Sequence, residues 1–188
     1  MRWDRLRVPV AFTLVGPAAL VSPAPVFAAD YLTADQAQTL LFPDADRFET
    51  ATLALDAATS AELQSRLGVA VKRSWELRLA RHGDALLGAV AADDVIGKFE
   101  RITFAVGIGT DGAVRGVEIL SYRESHGQEV RLPAWRKQFV GKTAASRIEV
   151  GEEISNISGA TLSCRHVTLG TRRIVAVVDA LRARGALR

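Results

Sequence analysis

Near its C-terminal end the chain reads Asn156-Ile157-Ser158-Gly159-Ala160-Thr161-Leu162, then Ser163, Cys164, Arg165 and His166. Four small residues stand directly before a stretch that patterns as a long helix. From about Thr161 to Arg184 the apolar residues Val167, Ile174, Val177, Val178 and Leu181 recur at three- and four-residue spacing, and Gly185 ends the run. The first N–H groups of such a helix have no intrahelical acceptor and its amino end is electropositive, so it can seat a phosphate. Ser158 is expected to cap the helix, while Gly159 and Ala160 let a bulky anion approach the backbone. Thr161 places a hydroxyl at the edge of that seat, able to become a phosphoester. The same residues equally suit a serine-capped helix packed through small side chains, and physical chemistry alone leaves both readings open.

Other chemistries are easier to exclude. Gly107-Ile108-Gly109-Thr110-Asp111-Gly112 matches G-x-G-x-x-G, but a dinucleotide fingerprint needs a helix after its glycines, and here the following residues alternate as a strand. Cys164 and His166 are too few for a metal site, and His82 and His126 have no ligand spacing relative to them. Ser158 and Ser163 lie in no G-x-S-x-G elbow, so neither reads as a hydrolase nucleophile. With a single cysteine, Cys164, no internal disulfide can form. We therefore expect no catalytic residues and no metal ligands, and a packing role for Cys164.

The amino end must be set aside before the fold is considered. A short basic segment carrying Arg2, Arg5 and Arg7 precedes an apolar stretch that ends in Val26-Phe27-Ala28. Small residues at the two positions a signal peptidase reads predict export, with residues 1–28 as signal peptide and cleavage between Ala28 and Ala29. The alternative is an uncleaved membrane anchor, although Pro9, Gly16, Pro17, Ser22, Pro23 and Pro25 interrupt the apolar run. Removing the three arginines and Asp4 lowers the formal net charge from +3 to +1, which gives no footprint for nucleic acid.

The remaining chain contains the elements that must position the small-residue segment. Thr33 and Gln36 have capping-box spacing before Ala37, Leu40 and Leu41, predicting a short helix stopped at Pro43. A weak strand follows from Arg47. Thr59 and Glu62 suggest a second capping box, with Gly68 closing that helix. Val69 to Leu79 and the stretch from Leu86 to Gly97 favour strands. The segments from Phe99 to Ile108 and from Ala113 to Tyr122 flank Thr110-Asp111-Gly112, a tight-turn signal, so they form a hairpin. Pro133 begins a short helix. Helices at both ends with strands between predict an α+β fold with a largely antiparallel sheet and a long C-terminal helix.

The segment Asn156 to Ser163 resembles the covalent-flavin motif of the FMN-binding domain family. That family includes the C subunit of sodium-pumping NADH:quinone reductase, the Rnf complex G subunit and the N-terminal domain of nitrous-oxide-reductase regulators. The likeness extends to the hairpin with its Glu124-Ser125-His126-Gly127 turn and to the Trp135–Lys142 segment, covering about Leu86 to Leu181. It implies residues 86–188 as the FMN-binding domain, with 29–85 as an N-terminal extension packed on it. It further implies FMN held as a phosphoester on Thr161, installed by a flavin transferase using FAD. Glu124 and Gly127 are expected at the flavin, Leu162 on the ring or in the core, and Arg165 beside the phosphate or a carboxylate. Gln138, Phe139 and Lys142 are weaker candidates from the same likeness. Relatives usually carry Asp where this chain has Ser155. The function so implied is that of a periplasmic flavoprotein electron carrier, more an electron-transfer protein than an independent enzyme. It would work with redox partner proteins, soluble or membrane-bound, and without nucleic acid. The alternatives are a structural or assembly subunit of a redox complex without flavin, and a reductase with noncovalent FMN.

Overall fold

A computed structural model describes residues 29–187 of the chain, so the expected signal peptide lies outside the described residues. The elements run β1 (Ala29–Asp30), α1 (Ala34–Leu41), β2 (Arg47–Ala54), α2 (Ala57–Leu67), β3 (Ser74–His82), β4 (Ala85–Ile96), β5 (Arg101–Gly109), β6 (Val114–Tyr122), α3 (Pro133–Arg136) and α4 (Thr161–Ala183). The strands make one antiparallel sheet in the order β1-β6-β5-β4-β3-β2, and with the flanking helices and the long α4 this is the expected α+β fold.

Strand alternation sorts the core into two layers. Phe104, Val106 and Ile108 of β5 point to the face covered by α4 and α2, where they pack with Val167, Ile174, Val177 and Leu63. Ala105 points the other way, toward Ala37, Leu41 and Phe42 of the α1 segment. The capping box of α1 is present in both directions: Thr33 Oγ1 accepts from the Gln36 N–H at 3.1 Å, and Gln36 Oε1 accepts from the Thr33 N–H at 2.8 Å.

Gly107 does something different from binding a nucleotide. It lies inside β5, opposite Gly116 of β6, and a Cβ on it would sit 3.0 Å from Leu41 Cβ and 3.2 Å from the Phe42 ring. Gly88 on β4 faces the same ring at 2.7 Å. Glycines on three neighbouring strands thus form a shallow groove into which the end of α1 sinks. Gly88 also leaves no space toward the backbone, because a Cβ there would fall 2.2 Å from the Ile108 carbonyl oxygen. Gly88→Ala is therefore expected to cost about 1–3 kcal/mol by overpacking, read as a lower urea midpoint at unchanged slope.

Two local expectations need correction. The cap of α2 is Asp56, whose Oδ1 accepts the Thr59 N–H at 2.8 Å; Thr59 lies inside the helix, and no Thr59–Glu62 box forms. That backbone bond, followed by the pairing with Arg184, draws the Asp56 carboxyl down to about 2. The strand expected from Val69 begins only at Ser74 and continues to His82. Residues before it form a loop in which the Ser60 hydroxyl donates to the Val71 carbonyl at 3.0 Å and the Trp75 indole donates to the Lys72 carbonyl at 2.7 Å. Side-chain bonds to that backbone take the place of a sheet ladder.

Candidate functional site: a cavity at the start of the C-terminal helix

Ile157 to Ala160 form a tight turn, closed by the Ala160 N–H donating to the Ile157 carbonyl at 3.0 Å. Gly159 has φ +85°, a left-handed conformation that needs glycine at the third position of such a turn. The turn delivers the chain into α4 at Thr161. Here the capping expectation fails: Ala160 is the cap residue, no side chain caps the helix, and Ser158 is exposed on the turn. Cys164 supplies the first helical bond, to the Ala160 carbonyl at 2.8 Å. The N–H groups of Thr161, Leu162 and Ser163 therefore stand ahead of the helix ladder without a side-chain acceptor, an electropositive corner.

This corner opens into a cavity of about 600 Å³, lined by Gly159 to Ser163, by Glu124 to His126, and by Lys98 and Phe99. Thr161 is half-buried at its floor, and its Oγ1 accepts from Asn156 Nδ2 at 3.2 Å. Leu162, 41% exposed, gives the helix side an apolar surface. Arg165 lies outside the lining, exposed and without a partner among the described residues.

The preceding loop is held from behind. Trp135 Nε1 donates to the Ser155 carbonyl at 2.8 Å, and the Ser155 N–H donates to Gln138 Oε1 at 2.8 Å. Phe139 packs edge-on against Trp135 in the core, and Lys142 pairs with Glu153 at 2.9 Å. Gln138, Phe139 and Lys142 thus do not line the cavity; they brace the loop that carries the motif. The Ser155 side chain is exposed, so the departure at that position lies on the surface.

Glu124 lines the cavity, and its carboxylate binds the turn after β4. Its Oε1 accepts the Phe99 N–H at 2.5 Å and the Glu100 N–H at 2.9 Å. Burial pushes this carboxyl up, but those bonds, a third from Lys98 and the Lys98 charge outweigh it, leaving it below the usual carboxylate range. A depressed folded-state value means the clamp's contribution is present above the ordinary carboxylate pKa. It is lost as pH falls through the lowered one. Acidification is thus expected to lower the protection factors of the Phe99 and Glu100 amides before those of β5, as hydrogen-exchange mass spectrometry corrected for the intrinsic pH dependence would show. Gly127, at φ +87°, allows a close approach within the protein: a Cβ there would meet the Tyr122 hydroxyl at 2.7 Å and Ser163 Oγ at 3.0 Å. Tyr122 and Ser163 share a buried 2.8 Å hydrogen bond, which ties β6 to the first turn of α4.

Sequence reasoning missed Phe99, Lys98 and Asn156. Phe99 is expected in a strand, yet β5 starts at Arg101 and Phe99 sits in the turn after β4. An aromatic between Lys98 and Glu100, where turns are normally polar, is the signal that could have drawn attention to it. His166 is half-buried, with Nδ1 3.1 Å from the Gly97 carbonyl, so that nitrogen is the donor in this contact. Cys164 is buried, and burial pushes its thiol up, as befits a packing residue.

Residues 97–176 match the FMN-binding domain family. The likeness is to an FMN-binding domain. Its matched span contains every residue named in the cavity lining. Among relatives, the chain is 30% identical over 106 residues to the G subunit of the ion-translocating oxidoreductase complex of Aliivibrio fischeri strain MJ11, covering 50% of this chain and 49% of that protein. Its counterpart from strain ATCC 700601 / ES114 is 29% identical over an equal span. The chain thus spans about half the length of these relatives. The crystal structure of Shewanella oneidensis NqrC superposes with a TM-score of 0.53 at 14% identity, covering 76% of this chain and 87% of that one, which speaks to the fold alone. The cavity is consistent with that likeness: its volume is within the range of about 300–1,000 Å³ usual for small-molecule sites. It also combines donors suited to a phosphate with an aromatic and an aliphatic side chain suited to a planar ring.

Proposed function

We propose that this protein is an exported flavoprotein electron carrier that holds FMN through a phosphoester to Thr161. The observation that carries the reading is the uncapped start of α4 opening into the cavity with the Thr161 hydroxyl at its floor. Bound FMN supplies one- and two-electron transfer at its ring, and the residues of the chain do the rest. The N–H groups of Thr161 to Ser163 neutralise phosphate charge, while Gly159 and Ala160 keep side chains out of its way. Lys98 places a positive charge on the cavity wall, which favours added electrons on a neighbouring group.

Attachment needs a flavin transferase and FAD. Thr161 Oγ bonds to the FMN phosphorus, the pyrophosphate P–O bond breaks, AMP leaves, and the hydroxyl proton is released. The ester prevents loss of the cofactor by dissociation in the periplasm, where the signal peptide directs the chain. Among the described residues no helix is long and apolar enough to cross a membrane. Subunits of redox complexes, such as those the relatives' names describe, are the class of partner this reading implies.

The test is intact mass spectrometry of the mature protein coexpressed with a flavin transferase. The expected mass exceeds that of the chain from Ala29 by one FMN less one water. A bare polypeptide mass would favour the structural or assembly subunit instead, with Ser155 as the surface feature that a transferase fails to accept.

A further inference from the structure

The turn Gly97–Glu100 carries the most exposed of the large apolar side chains among the described residues: Phe99, at 74%. Leaving a phenyl ring in water forgoes about 1.5–3 kcal/mol of burial, so a turn of no further use would be expected to carry a polar residue there. The turn is nevertheless firmly held. The Gly97 N–H donates to the Glu100 carbonyl at 2.8 Å, and the Gly97 carbonyl meets His166 Nδ1 at 3.1 Å. Glu124 Oε1 accepts the Phe99 and Glu100 N–H groups, using both lone pairs of that oxygen. Gly97 admits no side chain, since a Cβ would fall 2.6 Å from the same oxygen. Lys98 Nζ lies 4.9 Å from the centroid of the phenyl ring, which leaves the ring's opposite face open. The same cavity is also lined by Leu162 and the small residues Gly159 and Ala160.

We propose that Phe99 is the residue on which the flavin ring stacks, and that Glu124 is a positioning residue for Phe99 rather than a hydrogen-bond partner of the flavin. The inference rests on the proposed FMN site. It assigns the ring end of that site to the turn after β4 and leaves the phosphate end to α4. Aromatic stacking accounts for a rigidly held yet exposed phenyl ring, because the missing burial is supplied by the cofactor. It also accounts for a cavity-lining carboxylate whose Oε1 is taken up by the Phe99 and Glu100 N–H groups.

The experiment uses the full chain loaded with FMN by coexpression with a flavin transferase, flavin content being set by absorbance. Phe99→Trp is expected to quench flavin fluorescence several-fold, because an indole in van der Waals contact donates an electron to the excited ring. Leu40→Trp, on the exposed side of α1, should leave fluorescence unchanged. Adding Glu124→Ala to Phe99→Trp should restore the emission as the turn is released. Adding Glu124→Gln should not, since its amide oxygen can still accept both N–H groups. Should Phe99→Trp fail to fold, Phe99→Ala replaces it, with a several-fold rise in flavin quenching by iodide as the expected result. Loaded protein in which Phe99→Trp behaves like Leu40→Trp, or in which Glu124→Gln releases the quench as fully as Glu124→Ala, overturns the inference while the FMN site stands. Unchanged iodide quenching in Phe99→Ala overturns it in the same way. A wild-type chain that takes up no flavin overturns both.

Discussion

A Thr161→Ala variant coexpressed with a flavin transferase is expected to lose all denaturation-resistant flavin, whereas wild type keeps one equivalent. The other hydroxyls near the cavity are poorly placed to substitute. Ser163 Oγ is committed to the buried Tyr122 hydroxyl at 2.8 Å, and Ser125 Oγ lies 2.9 Å from His126 Nδ1. Ser158 is exposed on the turn outside the lining. Thr161 Oγ1 accepts from Asn156 and keeps its own proton available for release. The loss cannot be ascribed to unfolding, because removing a half-exposed hydroxyl from the first turn of a long helix changes stability by no more than about 0.5 kcal/mol. Thr161→Ser should keep the flavin, as it retains the attacking oxygen. In-gel fluorescence of the denatured band and intact mass give the answer together. A Thr161→Ala band as bright as wild type would place the ester on another residue.

The largest effect on stability is expected at Asp93. This β4 carboxylate has a side chain only 1% exposed and meets Arg173 Nη2 of α4 at 2.5 Å and Lys72 Nζ at 2.7 Å. Lys72 is 61% exposed, so its share is small. Arg173 is 15% exposed, and its Nε has no acceptor even with Asp93 in place. Asp93→Ala leaves that guanidinium uncompensated, which should cost about 3–5 kcal/mol and lower Tm by roughly 6–20 °C for a chain of this size. The double variant Asp93→Leu with Arg173→Met removes both charges and should recover most of the loss. A urea midpoint for Asp93→Ala close to that of wild type would contradict this account. The pair matters to the site because it anchors the helix that begins at Thr161.

What could be read from the sequence divides by the range of the interaction. The hairpin around Asp111-Gly112, the capping box at Thr33 and the register of α4 rest on residues a few positions apart, and each appears where expected. The small-residue motif was legible as a helix start for the same reason. Its cap was not, because the chain enters through a Gly159 turn rather than through a Ser158 hydroxyl. Asp56 displaced Thr59 as the cap of α2, helped by Arg184 from the far end of the chain. Gly107 could be excluded from a nucleotide fingerprint, but its contact with Leu41 and Phe42 depends on where α1 lands. Phe99 escaped notice because Glu124, which accepts its N–H, and His166, which meets the Gly97 carbonyl of the same turn, reach that turn only in the folded protein.

The cavity walls come from the turn after β4, from the segment after β6 and from the start of α4, the last of the described helices. Ala29 and Asp30 pair with Tyr122 and Ser121, so even the earliest described residues are stitched beside the Tyr122–Ser163 bond. No nascent fragment ending before α4 contains a complete binding place. The binding place for a cofactor is thus assembled only once α4 has docked on the sheet, whatever the order of chemical modification.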